Sequence, residues 1–208
     1  MIFNFTENLR FSTRLHIKDE NIDIVDHTKL LGTIVSSDLG WNLNTSSIVK
    51  KANARMELLR RVAGFGTHVG DLKIIYILFV RSILEQSCVV WHSSLTEQNS
   101  SDWERVQKSA TKIILQERFK NYKNALEQLE IEDLKSRREA LCLDFAKKCT
   151  KHEKLKHLFP KNSKEHQMNT RNSEVYKVYH ANTKRFQQSP IIFLQNLLNE
   201  DEKNRRND

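Results

Sequence analysis

Proline and glycine are scarce in this chain, at two and five of 208 residues. Few positions are therefore forced to turn or barred from a helix, which favours long helices joined by short polar loops. Cysteine is also sparse: Cys88, Cys142 and Cys149 are odd in number, which implies no disulfide framework and suits a reducing compartment. The N-terminus lacks an apolar segment of signal-peptide character, so an intracellular location, nuclear or cytoplasmic, is expected. The most apolar stretch, Leu72 to Trp91, has about the length of a membrane span, but Lys73, Arg81 and Glu85 interrupt it. A charge at the centre of a bilayer costs roughly 2.5–3.5 kcal/mol on insertion scales, so the stretch reads as a buried core helix and no membrane partner is expected. Neither a Gly-rich phosphate loop nor a Gly-x-Ser-x-Gly elbow occurs, which leaves nucleotide-loop and hydrolase chemistry without support.

What is abundant is charge, and it is biased. The formal net charge is +8 and the isoelectric point about 9.4, which favours a polyanionic partner such as nucleic acid. Hydrophobic residues make up 38% of the chain and charged ones 29%, so part of it is expected to be solvated rather than packed.

Along the chain the period changes from two to 3.6. Leu15 and Ile17, a polar turn Asp19-Glu20-Asn21, then Ile22 and Ile24 spell a hairpin, and Lys29 to Val35 reads as a third strand. Three short strands need something packed on them to form a stable sheet, so this start reads as a remnant of a larger one. From Thr45, with Thr45 or Ser46 as cap, Ile48, Ala52, Met56, Leu59 and Ala63 fall on one helical face, and Gly64 and Gly66 end the helix. A second helix opens near Gly70-Asp71 with Leu72, Ile75, Phe79, Ile83 and Val90 as its stripe. A third opens at Ser101-Asp102-Trp103-Glu104 and carries Trp103, Val106, Ala110, Ile113 and Ile114. Short loops make an antiparallel bundle their natural packing. Helices are also expected over Asn121–Leu129 and from Glu132 to about Thr150, the latter with Leu134, Leu141, Phe145 and Cys149 inward and Lys147, Lys148 and Lys151 at the negative end of its dipole. Phe159 to Glu174 reads as a loop, Val175 to Tyr179 as a short ordered run, and Ser189-Pro190 as the cap and start of a last helix to Leu198, with a frayed charged tail. The predicted fold class is mainly α.

Several segments, in this order, resemble the C-terminal part of the reverse transcriptase of non-LTR, LINE-type retrotransposons. Lys29-Leu30-Leu31-Gly32-Thr33-Ile34 with Leu39-Gly40-Trp41 is similar to the family's Leu-Gly strand and its later Leu-x-Trp. Arg81-Ser82-Ile83-Leu84-Glu85 with Val90-Trp91 resembles its Arg-Pro-x-Leu-Glu-Tyr stretch, with Ser82 in place of Pro and Gln86-Ser87 in place of Tyr. Glu104-Arg105-Val106-Gln107-Lys108-Ser109-Ala110 resembles its Leu-Glu-x-Val-Gln-Arg-x-Ala helix. Arg137-Arg138 before Leu141, and Ser189-Pro190-Ile191-Ile192-Phe193-Leu194, resemble later landmarks. The resemblance implies palm-end strands over 1–44, a thumb-like antiparallel bundle over 45–120, C-terminal helices over 121–158, a linker with a short ordered run over 159–188, and a terminal helix and tail over 189–208. It also implies a parent RNA-directed DNA polymerase that uses magnesium held by aspartates upstream of the Leu-Gly strand. This chain has no adjacent pair of aspartates, so alone it is expected not to polymerise, and no catalytic residue or cofactor is assigned to it.

The residues that bear on function are the basic stripes. Lys50, Lys51, Arg55, Arg60, Arg61, Arg105, Lys108 and Lys112 are the candidates for following the phosphates of an RNA, an RNA–DNA hybrid or a DNA duplex. Taken singly, each is more often part of an ordinary solvated helix face. Leu31, Gly32 and Thr33 are the candidate primer grip implied by the resemblance, or else a bulge or tight turn. Trp41, Trp91 and Trp103 are expected in the core rather than stacked on bases. Cys142, Cys149, His152 and His157 invite a zinc site, but the first gap is too long for a paired knuckle and both thiols fall at core positions, so no metal is assigned. The competing function is that of a non-catalytic helical adaptor with a basic surface.

Overall fold

The structure, a computed structural model, describes residues 1, 3, 16–18, 20–162 and 174–207. Leu15, Asp19 and most of the expected loop before Glu174 lie outside them. The described chain is mainly helical, with two small antiparallel hairpins.

The hairpins differ from the expected three strands. β1 (His16–Ile17) pairs with β2 (Glu20–Asn21), so Glu20 and Asn21 belong to a strand rather than to the turn. β3 (His27–Leu30) pairs with β4 (Thr33–Ser36), and the expected single strand Lys29 to Val35 is folded back on itself. Its turn, Leu31-Gly32, has φ of 47° and 90°, positive at both central residues as the tight type I′ connection requires. Gly32 also packs closely: a Cβ there would stand 2.5 Å from Nε2 of Gln86. β4 is tied to the helices, with Thr33 and Ser36 buried and the Ile34 N–H donating to Asn44 Oδ1 at 3.0 Å.

α1 (Asn42–Gly64) begins before the predicted caps, so Thr45 lies inside the first turn, where its hydroxyl caps nothing. Trp41 anchors that end in the core and Asn44 is committed to β4, which moves the start upstream. Ile48, Ala52, Met56, Leu59 and Ala63 are buried as the spacing predicts, and Gly66, at φ 77°, follows the helix end.

α2 (Val69–Ile75) runs into a π-helical stretch, Tyr76–Arg81, and then α3 (Ser82–Glu85) and α4 (Cys88–Trp91). Here the predicted stripe is met only in part: Leu72 is buried and Ile75 and Ile83 are half-buried against the core. The residues buried are Leu72, Tyr76, Val80, Leu84, Cys88 and Trp91, whereas Phe79 and Val90 are exposed. Positions repeating every four residues drift around an α-helix by about 40° per step. The wider π turns absorb that drift and keep one side on α1. Ser87, left-handed at φ 55°, then resets the phase for α4. Val69 to Ser94 is long and apolar enough to cross a membrane, and the buried core helix expected there is met only in part, since 28% of its most apolar window is buried: one face enters the core, and Ile74, Leu78, Phe79 and Val90 face out.

α5 (Glu97–Leu115) starts upstream of the predicted Ser101, because the Thr96 hydroxyl accepts from the Asn99 N–H and caps it there. It packs along α1, and Trp103 meets Trp91 with ring centroids 4.3 Å apart. α6 (Tyr122–Leu129) and α7 (Leu134–Lys151) are capped by Asn121 and Asp133. Phe145, predicted inward on α7, is exposed, and Arg138, Cys142 and Ala146 are buried instead. After α8 (Lys184–Gln187), α9 (Pro190–Asn207) starts at the predicted proline but continues through the tail expected to fray. Asp201, bonded to Lys147 at 2.8 Å and Arg205 at 3.0 Å, holds that extension. The Ser189 hydroxyl finds no partner among the described residues, so it does not cap. Asn199 takes the Tyr176 N–H on its oxygen and gives its amide to the Tyr176 carbonyl, which fixes the short run after Glu174 against α9. One apolar cluster runs from Trp41 to Leu198.

Candidate nucleic-acid interface

All eight predicted basic residues are exposed. On α5, Arg105, Lys108 and Lys112 recur at helical spacing and form one line opposite Trp103, Val106, Ala110 and Ile114. On α1 the five divide. Lys50 and Arg61 lie about three turns apart on the face turned away from the core, Lys51 and Arg55 share one flank, and Arg60 takes the other. A groove of about 420 Å³ opens between α1 and α5 and is lined by Lys50, Asn53, Ser46 and Asp102.

Three of the eight are paired along their own helices. Glu57 bonds Arg60 at 3.2 Å and reaches Arg61 at 3.6 Å, and Asp102 lies 3.1 Å from Arg105. Solvated pairs of this kind contribute about 0–1 kcal/mol, so a phosphate can displace the carboxylate at little cost. Lys112 stands 5.5 Å from the centre of the Phe119 ring. Among the described residues no ion pair holds Lys50, Lys51, Arg55 or Lys108.

Leu31 and Gly32 form the tight turn between β3 and β4, and Thr33 opens β4. The close approach permitted by Gly32 is used within the chain, by Gln86, and Thr33 is buried, while Leu31 remains 91% exposed. All three tryptophans are in the core. The zinc candidates diverge: Cys142 and Cys149 are buried, while His152 and His157 face solvent. The Cys142 thiol is pushed up by its hydrogen bond to Cys88 and by burial, and Cys149 is raised by burial. Among the described residues no three carboxylate, imidazole or thiol groups converge as a metal site. The magnesium centre that the family resemblance implies has no donor set in them, and no chemical step is assigned.

Hydrophobic patterning does not reveal the polar ties beneath these helices. The Tyr76 hydroxyl donates to Gln107 Oε1 at 2.5 Å, and Gln107 Nε2 donates to the Tyr122 oxygen and the Glu132 carbonyl. Tyr122 donates to Glu104 at 2.6 Å, and Glu104 accepts the Lys135 N–H. Burial raises the Tyr76 hydroxyl, and burial together with the Glu104 bond raises Tyr122. Arg138 is fully buried over the Trp103 ring, donating to His92 Nδ1 and Ser100 Oγ. His92 is lowered to about 4, first by burial and then by Arg138. Glu85 joins Arg81 and Arg137, each at 3.2 Å. Comparison with family models, with curated proteins and with solved structures returns no match.

Proposed function

We propose that this chain is the palm-end, thumb and C-terminal part of a LINE-type reverse transcriptase and that it holds a template–primer duplex without catalysing synthesis. The observation that carries the proposal is the exposed apolar surface of the hairpins and of the segment between them: Ile17 in β1, Leu30 in β3 and, between β2 and β3, Ile22, Ile24 and Val25 face solvent, as apolar side chains do when the surface that would cover them is elsewhere. Ile34, on the strand tied to α1, is half-buried.

A second support is where the residues of the resemblance lie. Glu85 reaches Arg137, Glu104 reaches the Lys135 backbone, Gln107 reaches the Glu132 carbonyl, and Arg138 reaches Ser100. Segments separated in sequence thus depend on one another for the same bundle. On the outside of that bundle, the α1 and α5 cations give affinity for phosphates that is independent of sequence and dependent on salt.

The adaptor reading draws on a different feature, the exposed Ile74, Leu78 and Phe79 on the outer side of α2 and the π turns; such an apolar face suits a protein partner. Fluorescence anisotropy with a labelled RNA–DNA hybrid separates the two. Duplex holding predicts that log Kd rises with log salt and that Arg105→Ala, Lys108→Ala and Lys112→Ala together reduce the slope by about 0.9 per lost phosphate contact. No binding at low salt, or an unchanged slope, would favour the adaptor.

A further inference from the structure

The end of α7 and the loop beyond it hold a second concentration of positive charge, separate from α1 and α5. Between Lys148 and Lys161 the chain has five lysines and a single carboxylate, Glu153. Lys148, Lys151, Lys154, Lys156 and Lys161 are all exposed, as is Lys177. Among the described residues none of these six forms an ion pair. They stand at the carbonyl end of an 18-residue helix, whose dipole favours cations there.

The backbone makes this a fixed surface. Successive turns close from His152 to Cys149, from Lys156 to His152 and from Phe159 to Lys156. The Asn162 N–H donates to the Val175 carbonyl and the Lys177 N–H to the Pro160 carbonyl, which pairs Lys161 with Tyr176 and ties the chain around Lys177 to the end of the loop. Gln195 Nε2 holds the Leu158 carbonyl at 2.8 Å and Asn199 brackets Tyr176, so two amides one helical turn apart on α9 fasten the loop. A surface ordered before binding spends less conformational entropy on its ligand.

We propose that these lysines form a second nucleic-acid contact surface, which grips the phosphate backbone independently of the α1 and α5 stripes. The side chains between the lysines favour nucleic acid over an anionic membrane. Leu155 and Leu158 are half-buried against the core and Phe159 is buried, while His152, Glu153 and His157 face out, so the stretch from Lys151 to Lys161 exposes no large apolar side chain to insert between lipids. The two basic surfaces are also apart in space. α7 touches α5 near its own start, through Lys135 and Arg138, and the helix rises about 20 Å between Arg138 and Lys151.

The test uses the full chain, anisotropy with a labelled RNA–DNA hybrid across a salt series, and circular dichroism to verify folding. Lys154→Ala, Lys156→Ala and Lys161→Ala together should lower the slope of log Kd against log salt by about 2 to 3. Lys29→Ala, Lys123→Ala and Lys184→Ala, which remove the same charge from other exposed sites, should leave it nearly unchanged. An unchanged slope in the first triple variant, or an equal fall in the second, overturns the proposal. So does a first variant that loses only its binding to phosphatidylserine vesicles. If the loop variant weakens binding while the Arg105, Lys108 and Lys112 variant does not, this surface stands and the α1 and α5 assignment fails; the reverse outcome overturns this surface alone.

Discussion

Inside the bundle Leu72, Tyr76, Val80 and Leu84 are wholly removed from solvent, whereas on and between the hairpins Ile17, Ile24 and Leu30 keep 64, 58 and 62% of their surface exposed. Burying a large aliphatic side chain contributes roughly 1.5–3 kcal/mol. The helices collect that term many times over; β1 and β2 collect almost none of it, and an isolated two-stranded hairpin is marginal in water. β4 is intermediate, because the Asn44 bond and the burial of Thr33 and Ser36 moor it to α1. The same sequence thus contains a region that supplies its own cover and a region that does not.

The largest expected effect lies in the bundle. Trp103→Ala removes a fully buried ring that meets Trp91 and underlies Arg138, and should cost about 3–5 kcal/mol in urea unfolding. A loss below about 1 kcal/mol would mean that this core is not the one that holds the fold.

Acidification should weaken the same region next. Burial, and then the Arg138 guanidinium, lower His92 in the folded chain from its usual 6.5 to about 4, so the unfolded state takes up the proton first. Its contribution is complete above about pH 6.5 and disappears as the pH falls to about 4, by about 3 kcal/mol at most. Replacing His92 with Gln should flatten that part of the stability profile, and an unchanged profile would remove His92 as its cause.

The smallest effect should come from the hairpins and the segment between them: Ile17→Ser with Ile24→Ser should change stability by less than about 0.5 kcal/mol. A loss comparable with that of Trp103→Ala would erase the contrast between the two regions.

How much of this was legible in the sequence depends on whether the governing contacts are local. The buried face of α1 follows from a 3.6-residue period, and the caps at Asn121 and Asp133 act within three residues. The face of α2 was misassigned because π turns change the period. The β3–β4 turn was legible only as an alternative, because Leu31, a residue with no preference for it, takes positive φ beside Gly32. The hold of Gln195 and Asn199 on the loop after α7 spans many residues and has no local signature. Among the basic residues, exposure was legible, and so in principle were the Glu57 and Asp102 pairs, which obey helical spacing. Of the lysines around the end of α7, Lys148 and Lys151 were legible as dipole partners, whereas Lys154, Lys156 and Lys161 carried no local signal, because their placement depends on the turns that follow α7.

Native-state hydrogen exchange, resolved by residue, tests the contrast most directly. Amides in the middle of α1, α5 and α7 should exchange only through global unfolding, with opening free energies of about 5 kcal/mol or more. Those of β1 and β2 should open at close to zero, with β4 in between. Protection of β1 and β2 equal to that of the helices would contradict the account, because it would show the hairpins to be part of a core that already covers them.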